Sequence, residues 1–193
     1  MLVFPACYGP GHGLILRLRE ANEICISGMF PFEKGSIHSR MRILCASGPL
    51  LLSIPVKKHA KGALIHELET DPVQKWQHQH WRSVYSAYGK SPYFHYFRNE
   101  LEHLFLHPAS SLAGYTAGIF SWALRQYFPE KKIHVSLTSF PGQADSSGLP
   151  EIMENSLQDS PPYRQVFGPD FVPGLCMLDH LFCAGPKSIW TIP

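Results

Sequence analysis

The chain has 193 residues, 45% of them hydrophobic, with 17 Lys and Arg against 15 Asp and Glu. That length and apolar content suffice for a substantial core in one domain, and a formal net charge of +2 leaves no basic footprint for a nucleic-acid backbone. Five cysteines, Cys7, Cys25, Cys45, Cys176 and Cys183, form no CxxC pair, so the expectation is reduced thiols in a cytoplasm, not a disulfide framework or a zinc ribbon.

Leu2 to Tyr8 reads as a buried strand, and the opening residues MLVFPACYGPGHG carry no basic leader, which favours a first strand over a signal sequence. No segment reaches the roughly 18 apolar residues of a membrane span. Gly9, Pro10, Gly11 and Gly13 break the strand, and Leu14 to Ala21 resumes with helical spacing. Glu23 to Ser27 fits a second strand. Strand, glycine-rich turn, helix, strand is the unit from which parallel sheets are built. Arg40 to Ala46 and Leu50 to Val56, around Ser47, Gly48 and Pro49, then form a β-hairpin.

A weaker strand is expected near Ala63 to Glu69. Asp71 can cap a helix beginning at Pro72, along which Trp76, His80, Val84 and Tyr88 form one stripe. Ser91 and Pro92 open a second helix with Phe94, Phe97, Leu101, Leu104 and Phe105 as its apolar face, ending at His107, and Leu112 to Tyr127 is a third. Ile133 to Leu137 reads as a strand. From Ser139 to Pro162 the composition is that of a loop with at most a short helix around Glu151 to Leu157. Met177 to Phe182 is a short helix, followed by a tail or an edge strand. The fold class is therefore α/β: a mixed, mainly parallel central sheet with a β-hairpin and a block of about three helices between roughly 72 and 128, all in one domain over 1–193.

Three places carry chemistry. His38, Arg40 and Arg42 alternate with Ile37, Met41 and Ile43 at strand spacing. They form either the solvated face of a hairpin or a cationic row for phosphate or carboxylate, the planar anions that guanidinium groups suit. The turn from Tyr8 to Gly13 offers backbone amides to an anion, with His12 beside them for contact or proton transfer. Cys176 lies near Asp179 and His180, where a small buried thiol packing a helix start is the simpler reading than a nucleophile with helpers. His103 and His107 stand four apart without a third ligand, so no metal site is expected, and the sequence singles out no cofactor.

In order, these segments resemble the WbqC-like family, proteins encoded with bacterial surface-polysaccharide genes. Its opening motif has the form QPxYFPxxGYFxLxxxAD. Tyr8, Pro10, Gly13 and Ala21 stand in register with it, while Pro5 replaces the glutamine and Asn22 the aspartate. Its WxNRxRI motif is matched by Arg40, Arg42 and Ile43 after Lys34, with Ile37 and Ser39 at the tryptophan and asparagine. LSIPVKK, the helical block with Trp76, His80, Tyr88, Pro92, Tyr93 and Phe94, and the closing residues Tyr163, Gln165, Phe171, Pro173, Leu178, Asp179, Leu181, Phe182, Gly185 and Pro186 are also similar to it. The chain between Tyr127 and Tyr163 is shorter than is usual in that family.

The resemblance implies a role in making O-antigen or capsule-type glycans, as a transferase on a nucleotide-activated sugar. In that reading Lys34, Arg40 and Arg42 neutralise the anionic ligand's phosphates, His12 or His38 serves as acid or base, and Asp179 orients one of these groups. Tyr8, Gly11, Gly13, Tyr163 and Gln165 complete a concave site joining the glycine turn, the arginine strand and the closing segment. A second reading is a degenerate member that binds a glycan intermediate or a partner protein without turnover. A third makes Arg40 and Asp179 an internal ion pair. Oligomeric state stays open.

Overall fold

Short apolar runs place the first two parallel strands, and their register locates the opening turn. In the computed structural model, residues 1–72, 75–107, 110–139 and 161–191 are described. Strand β1 (Leu2–Pro5) pairs in parallel with β2 (Glu23–Ser27), Leu2 facing Ile24 and Pro5 facing Ser27. Strand β5 (Lys132–Ser136) adds to the other side of β2, also in parallel. Helix α1 (His12–Leu18) makes the crossover from β1 to β2 and buries Leu14, Ile15 and Leu18. It starts two residues earlier than its spacing predicts, because the chain turns at Gly9 and Pro10 and His12 already lies in the first turn.

Strands β3 (Arg40–Cys45) and β4 (Gly48–Ser53) form the expected antiparallel hairpin, with Gly48 at φ 109° in the turn. Met41 and Ile43 are buried whereas Arg40 and Arg42 are exposed, as the alternation requires. His38 does not continue that row. It precedes β3, in a turn where the Ser39 amide donates to the Ser36 carbonyl and the Ser36 hydroxyl accepts from the His38 amide, and its ring is buried.

Helices α2 (Trp76–Tyr88), α3 (Phe94–Leu106) and α4 (Leu112–Tyr127) build the helical block. All four residues of the α2 stripe are buried, as are Phe94, Leu101 and Phe105 of α3. The Ser111 hydroxyl caps α4 by accepting from the Gly114 amide. Two expectations change. The strand near Ala63 to Glu69 is a 3₁₀ turn at Ile65–Glu67, flanked by single bridges from Leu64 to Pro31 and from Glu69 to Ser111. Asp71 is not the cap of α2: its amide donates to the Pro55 carbonyl and its own carbonyl accepts from the Trp76 indole, so the helix starts beyond it with Lys75 at the N-cap.

The short helix expected around Glu151 to Leu157 lies outside the described residues. Helix α5 (Met177–Cys183) follows, and the closing residues form a 3₁₀ turn, Pro186–Trp190, in place of a tail or strand. Residues leading into α5 lie between the opening turn and the hairpin. The Cys176 amide donates to the Arg42 carbonyl, the Met177 amide to the Pro10 carbonyl, and Gly11 bridges to Cys176. No helix among the described residues is long and apolar enough to cross a membrane.

The crossing of turn and hairpin is close. A Cβ at Gly9 would sit 2.5 Å from Met41 Cγ and 2.9 Å from Met41 Cβ. Because Met41 Cβ is fixed to the strand, Gly9→Ala forces the two backbones apart and is expected to lower stability by about 1–3 kcal/mol, read as a shift of the denaturant midpoint. An unchanged midpoint would show that the two segments have slack between them.

Candidate functional site

Asp179 sits on the first turn of α5 and is fully buried. Three neutral groups donate to its carboxylate: the Tyr88 hydroxyl from α2 at 2.8 Å, the Tyr163 hydroxyl at 2.7 Å and the Gln165 amide at 3.4 Å. The Tyr88 oxygen in turn accepts from the Leu44 amide of β3. Gln165 is itself clamped, exchanging hydrogen bonds with the backbone of Val172. Burial pushes Asp179 above the usual carboxylate range, and the hydrogen bonds from Tyr163, Tyr88 and Gln165 pull it back down. Among the described residues Asp179 meets no cation, so the ion pair with Arg40 does not form.

Beside this carboxylate lie two stacked imidazoles. The His12 ring, at the start of α1, lies 3.7 Å from the His180 ring with an angle of 15° between planes. The Tyr163 ring stands edge-on to both, 5.4 Å from His12 and 4.8 Å from His180. His180 is held at both nitrogens, by the Tyr127 hydroxyl and by the Ser188 hydroxyl, each at 3.0 Å. His12 differs: it is 1% exposed and neither ring nitrogen has a hydrogen-bond partner among the described residues. A buried polar atom without a partner costs about 1–3 kcal/mol, so this ring is held at an energetic loss. Burial lowers His12 to about 4, and burial followed by the neighbouring His12 lowers His180 to about 2. Both are neutral imidazoles near pH 7.

Tyr163 and Gln165 also line a cavity of about 280 Å³ with Pro162, Arg164, Asp170 and Phe171. One wall of this space is thus the pair of side chains that holds Asp179. Gly11 is the N-cap of α1 and bridges to Cys176, and Gly13 is buried one residue beyond His12. The structure therefore brings together His12, Gly11, Gly13, Tyr163, Gln165 and Asp179 out of the residues picked from the sequence.

The others fall elsewhere. Tyr8 is buried in a neighbouring aromatic cluster, its hydroxyl 2.7 Å from His80 Nδ1 and its ring against Phe105 and Tyr115. His38 accepts from the Glu33 amide at 3.3 Å and packs by Phe32, and burial lowers it to about 4. Lys34 and Arg40 are exposed, with the Arg40 guanidinium against Gly35, 3.2 Å from where that residue's Cβ would be, and Arg42 is exposed on the same face of β3. The arginine strand touches the site through backbone: the Arg42 carbonyl receives the Cys176 amide. Burial drives the Cys176 thiol up to about 12, as befits a packing residue. Among the described residues no three histidines, cysteines or carboxylates gather to hold a metal ion.

Sequence reasoning missed the roles of Tyr88, Tyr127 and Ser188, and named His180 only as a sequence neighbour of Cys176. Tyr88 and Tyr127 read as core by helical spacing, which is correct for their rings and silent about their hydroxyls.

The buried histidines make stability depend on acid. His12, His38 and His80 are lowered to about 4 and His180 to about 2, whereas unfolded histidine titrates near about 6.5. Between those values the unfolded chain binds more protons, so this contribution is complete above about pH 6.5 and is lost as pH falls, by about 1.4 kcal/mol per pH unit for each ring. Asp179 works in the opposite sense: its raised value lets the folded state hold a proton more readily, and that contribution fades as pH rises. The histidines dominate by number. The thermal midpoint is expected to fall steeply from pH 6 to 4, and a midpoint flat to pH 4.5 would contradict their burial as neutral rings.

A family model, that of the WbqC-like protein family, matches residues 6–149. The match runs from the opening turn through the hairpin and α2 to α4, and the closing segment that supplies Tyr163, Gln165 and Asp179 lies beyond it. No curated protein and no solved structure matches the chain.

Proposed function

The chain belongs to the WbqC-like protein family, and on that premise we propose that it is a transferase-type protein of bacterial surface-polysaccharide biosynthesis that binds an anionic activated sugar in the cytoplasm. The observation that carries the reading is His12: a buried imidazole with two unpartnered nitrogens, edge-on to the Tyr163 ring whose hydroxyl donates to the Asp179 carboxylate. A fold gains nothing from such a ring, whereas a sugar hydroxyl entering beside Tyr163 would satisfy it. As a neutral imidazole it accepts a proton from that hydroxyl or returns one to a leaving oxygen.

In this reading Asp179 orients the acceptor or donor sugar through Tyr163 and Gln165, and Gly11 and Gly13 leave room for close approach. Lys34, Arg40 and Arg42 attract the phosphates from the exposed hairpin, where solvent screening limits their pull to about a Debye length. All these groups belong to one domain over the whole chain.

A second reading, a binding protein without turnover, is favoured by one specific observation. The carboxylate of Asp179 is already engaged by three donors, which suits a structural strut as well as a reacting group.

Two variants test the proposal by calorimetry with a panel of nucleoside-diphosphate sugars. Arg40→Ala together with Arg42→Ala should weaken binding at least about tenfold with little change in thermal midpoint, since both side chains are exposed. His12→Leu should abolish binding and raise stability by about 1 kcal/mol or more, because it removes the two unpaired nitrogens. Binding that survives His12→Leu would take the imidazole out of the site. Detectable donor hydrolysis or transfer by the wild type would exclude the reading without turnover.

A further inference from the structure

Ser188 closes a line of three side chains that the sugar site does not use. The Tyr127 hydroxyl lies 2.9 Å from the Met177 carbonyl, to which it donates, and 3.0 Å from His180 Nδ1. Having spent its proton on Met177, it accepts from Nδ1. In the tautomer that carries its proton on Nδ1, the lone pair on Nε2 faces the Ser188 hydroxyl at 3.0 Å.

The geometry points to Ser188 as a nucleophile for acyl transfer, with His180 as its base, Tyr127 as the residue that positions the base, and an acyl ester or thioester as donor. A hydroxyl within hydrogen-bond reach of an imidazole that is itself oriented by a third group is the arrangement by which serine is activated.

The surroundings fit that role. Ser188 is half-buried in the 3₁₀ turn Pro186–Trp190, while the His180 ring behind it is wholly buried. The ring faces His12 and the edge of Tyr163, and its two nitrogens meet Tyr127 and Ser188. Burial and the neighbouring His12 keep it neutral, so it takes the serine proton only as the bond from Oγ to the acyl carbon forms. The serine proton is shared with the Gly185 carbonyl, 2.6 Å from Oγ.

Gly185 in turn is covered by the Tyr93 ring, whose atoms lie 2.7 to 3.0 Å from the place of a Cβ, and its φ is 80°. Tyr96 stands 6.3 Å from Tyr93 between ring centres and is 77% exposed. An exposed aromatic shelf therefore borders the turn that carries the hydroxyl. It offers a flat apolar face to the C–H side of a pyranose, which makes a sugar hydroxyl the natural acceptor. That choice of acceptor rests on the proposed function; the acyl-serine step does not.

The chemistry balances without a redox partner. Ser188 Oγ bonds to the acyl carbon as its proton passes to His180 Nε2. The bond from the acyl carbon to the donor oxygen or sulfur breaks, and the leaving group departs as alcohol or thiol with that proton. The acceptor hydroxyl then gives its proton to Nε2 and attacks the acyl-serine. The new ester leaves, and the proton returns to Ser188 Oγ.

The test uses the full chain with a fluorophosphonate probe, located by peptide mass spectrometry. The expected result is stoichiometric labelling at Ser188, absent from Ser188→Ala and slowed about tenfold or more by Tyr127→Phe, measured where circular dichroism shows each variant folded. The wild-type labelling rate should be flat between pH 7 and 9, because its base is already neutral. An unassisted serine reacts about tenfold faster with each pH unit. Labelling equal in wild type and Ser188→Ala, or a rate that climbs in that manner, would overturn the proposal. Neither outcome depends on nucleotide-sugar binding.

Discussion

A carboxylate without a cation organises this protein. Asp179 lies at the meeting point of α5, α2, the hairpin and the closing segment, and two phenols and an amide take the place that a guanidinium would ordinarily fill. Hydrogen bonds to an ionised acceptor are stronger than those between neutral partners, which is how three uncharged donors offset part of the cost of burial. The arrangement leaves the surrounding groups neutral as well. His12, His180, Tyr163 and Tyr127 all lose the charged form to burial before any other influence acts. Within this group of side chains His12 is the unsatisfied member.

Charge and chemistry are thereby separated in space. The cationic side chains of Arg40 and Arg42 on the hairpin and of Lys34 in the turn before it face solvent, while the His12 and His180 imidazoles lie inside, against the Tyr163 ring. The two layers communicate through backbone, by the amide of Cys176 on the carbonyl of Arg42 and by the bridge from Gly11 to Cys176. Such contacts fix position without transmitting charge. A ligand that spans both layers must therefore be extended, with its anionic part outside and a neutral part within.

Much of this fold is legible in the amino-acid order because periodicity reports burial directly. Leu112–Tyr127 is bounded as its spacing predicts, and β2 ends where its apolar run ends. The signal fails where local geometry overrides pattern. Alternation extends upstream to His38, but the turn at Ser36 rotates that ring into the interior. Asp71 has the composition of a cap and is occupied elsewhere. The candidate site was partly legible: His12 by its glycine turn, and Tyr163, Gln165 and Asp179 by the resemblance of the closing segment. The stacking of His12 on His180 was not, since no local rule relates residues so distant in sequence. Nor does helical spacing reveal that the Tyr88 and Tyr127 hydroxyls turn toward α5.

The threading of the closing segment between the first turn and the hairpin has a kinetic corollary. Contacts such as that from Arg19 to the Ile189 carbonyl join residues 170 positions apart. During synthesis the parallel strands and the helical block emerge before Met177–Cys183, and the groove that receives α5 stays unfilled until that helix is made. Closing so long a loop is entropically slow. Nascent chains therefore carry an open apolar trough, which is where a chaperone would bind and where premature association between copies would begin.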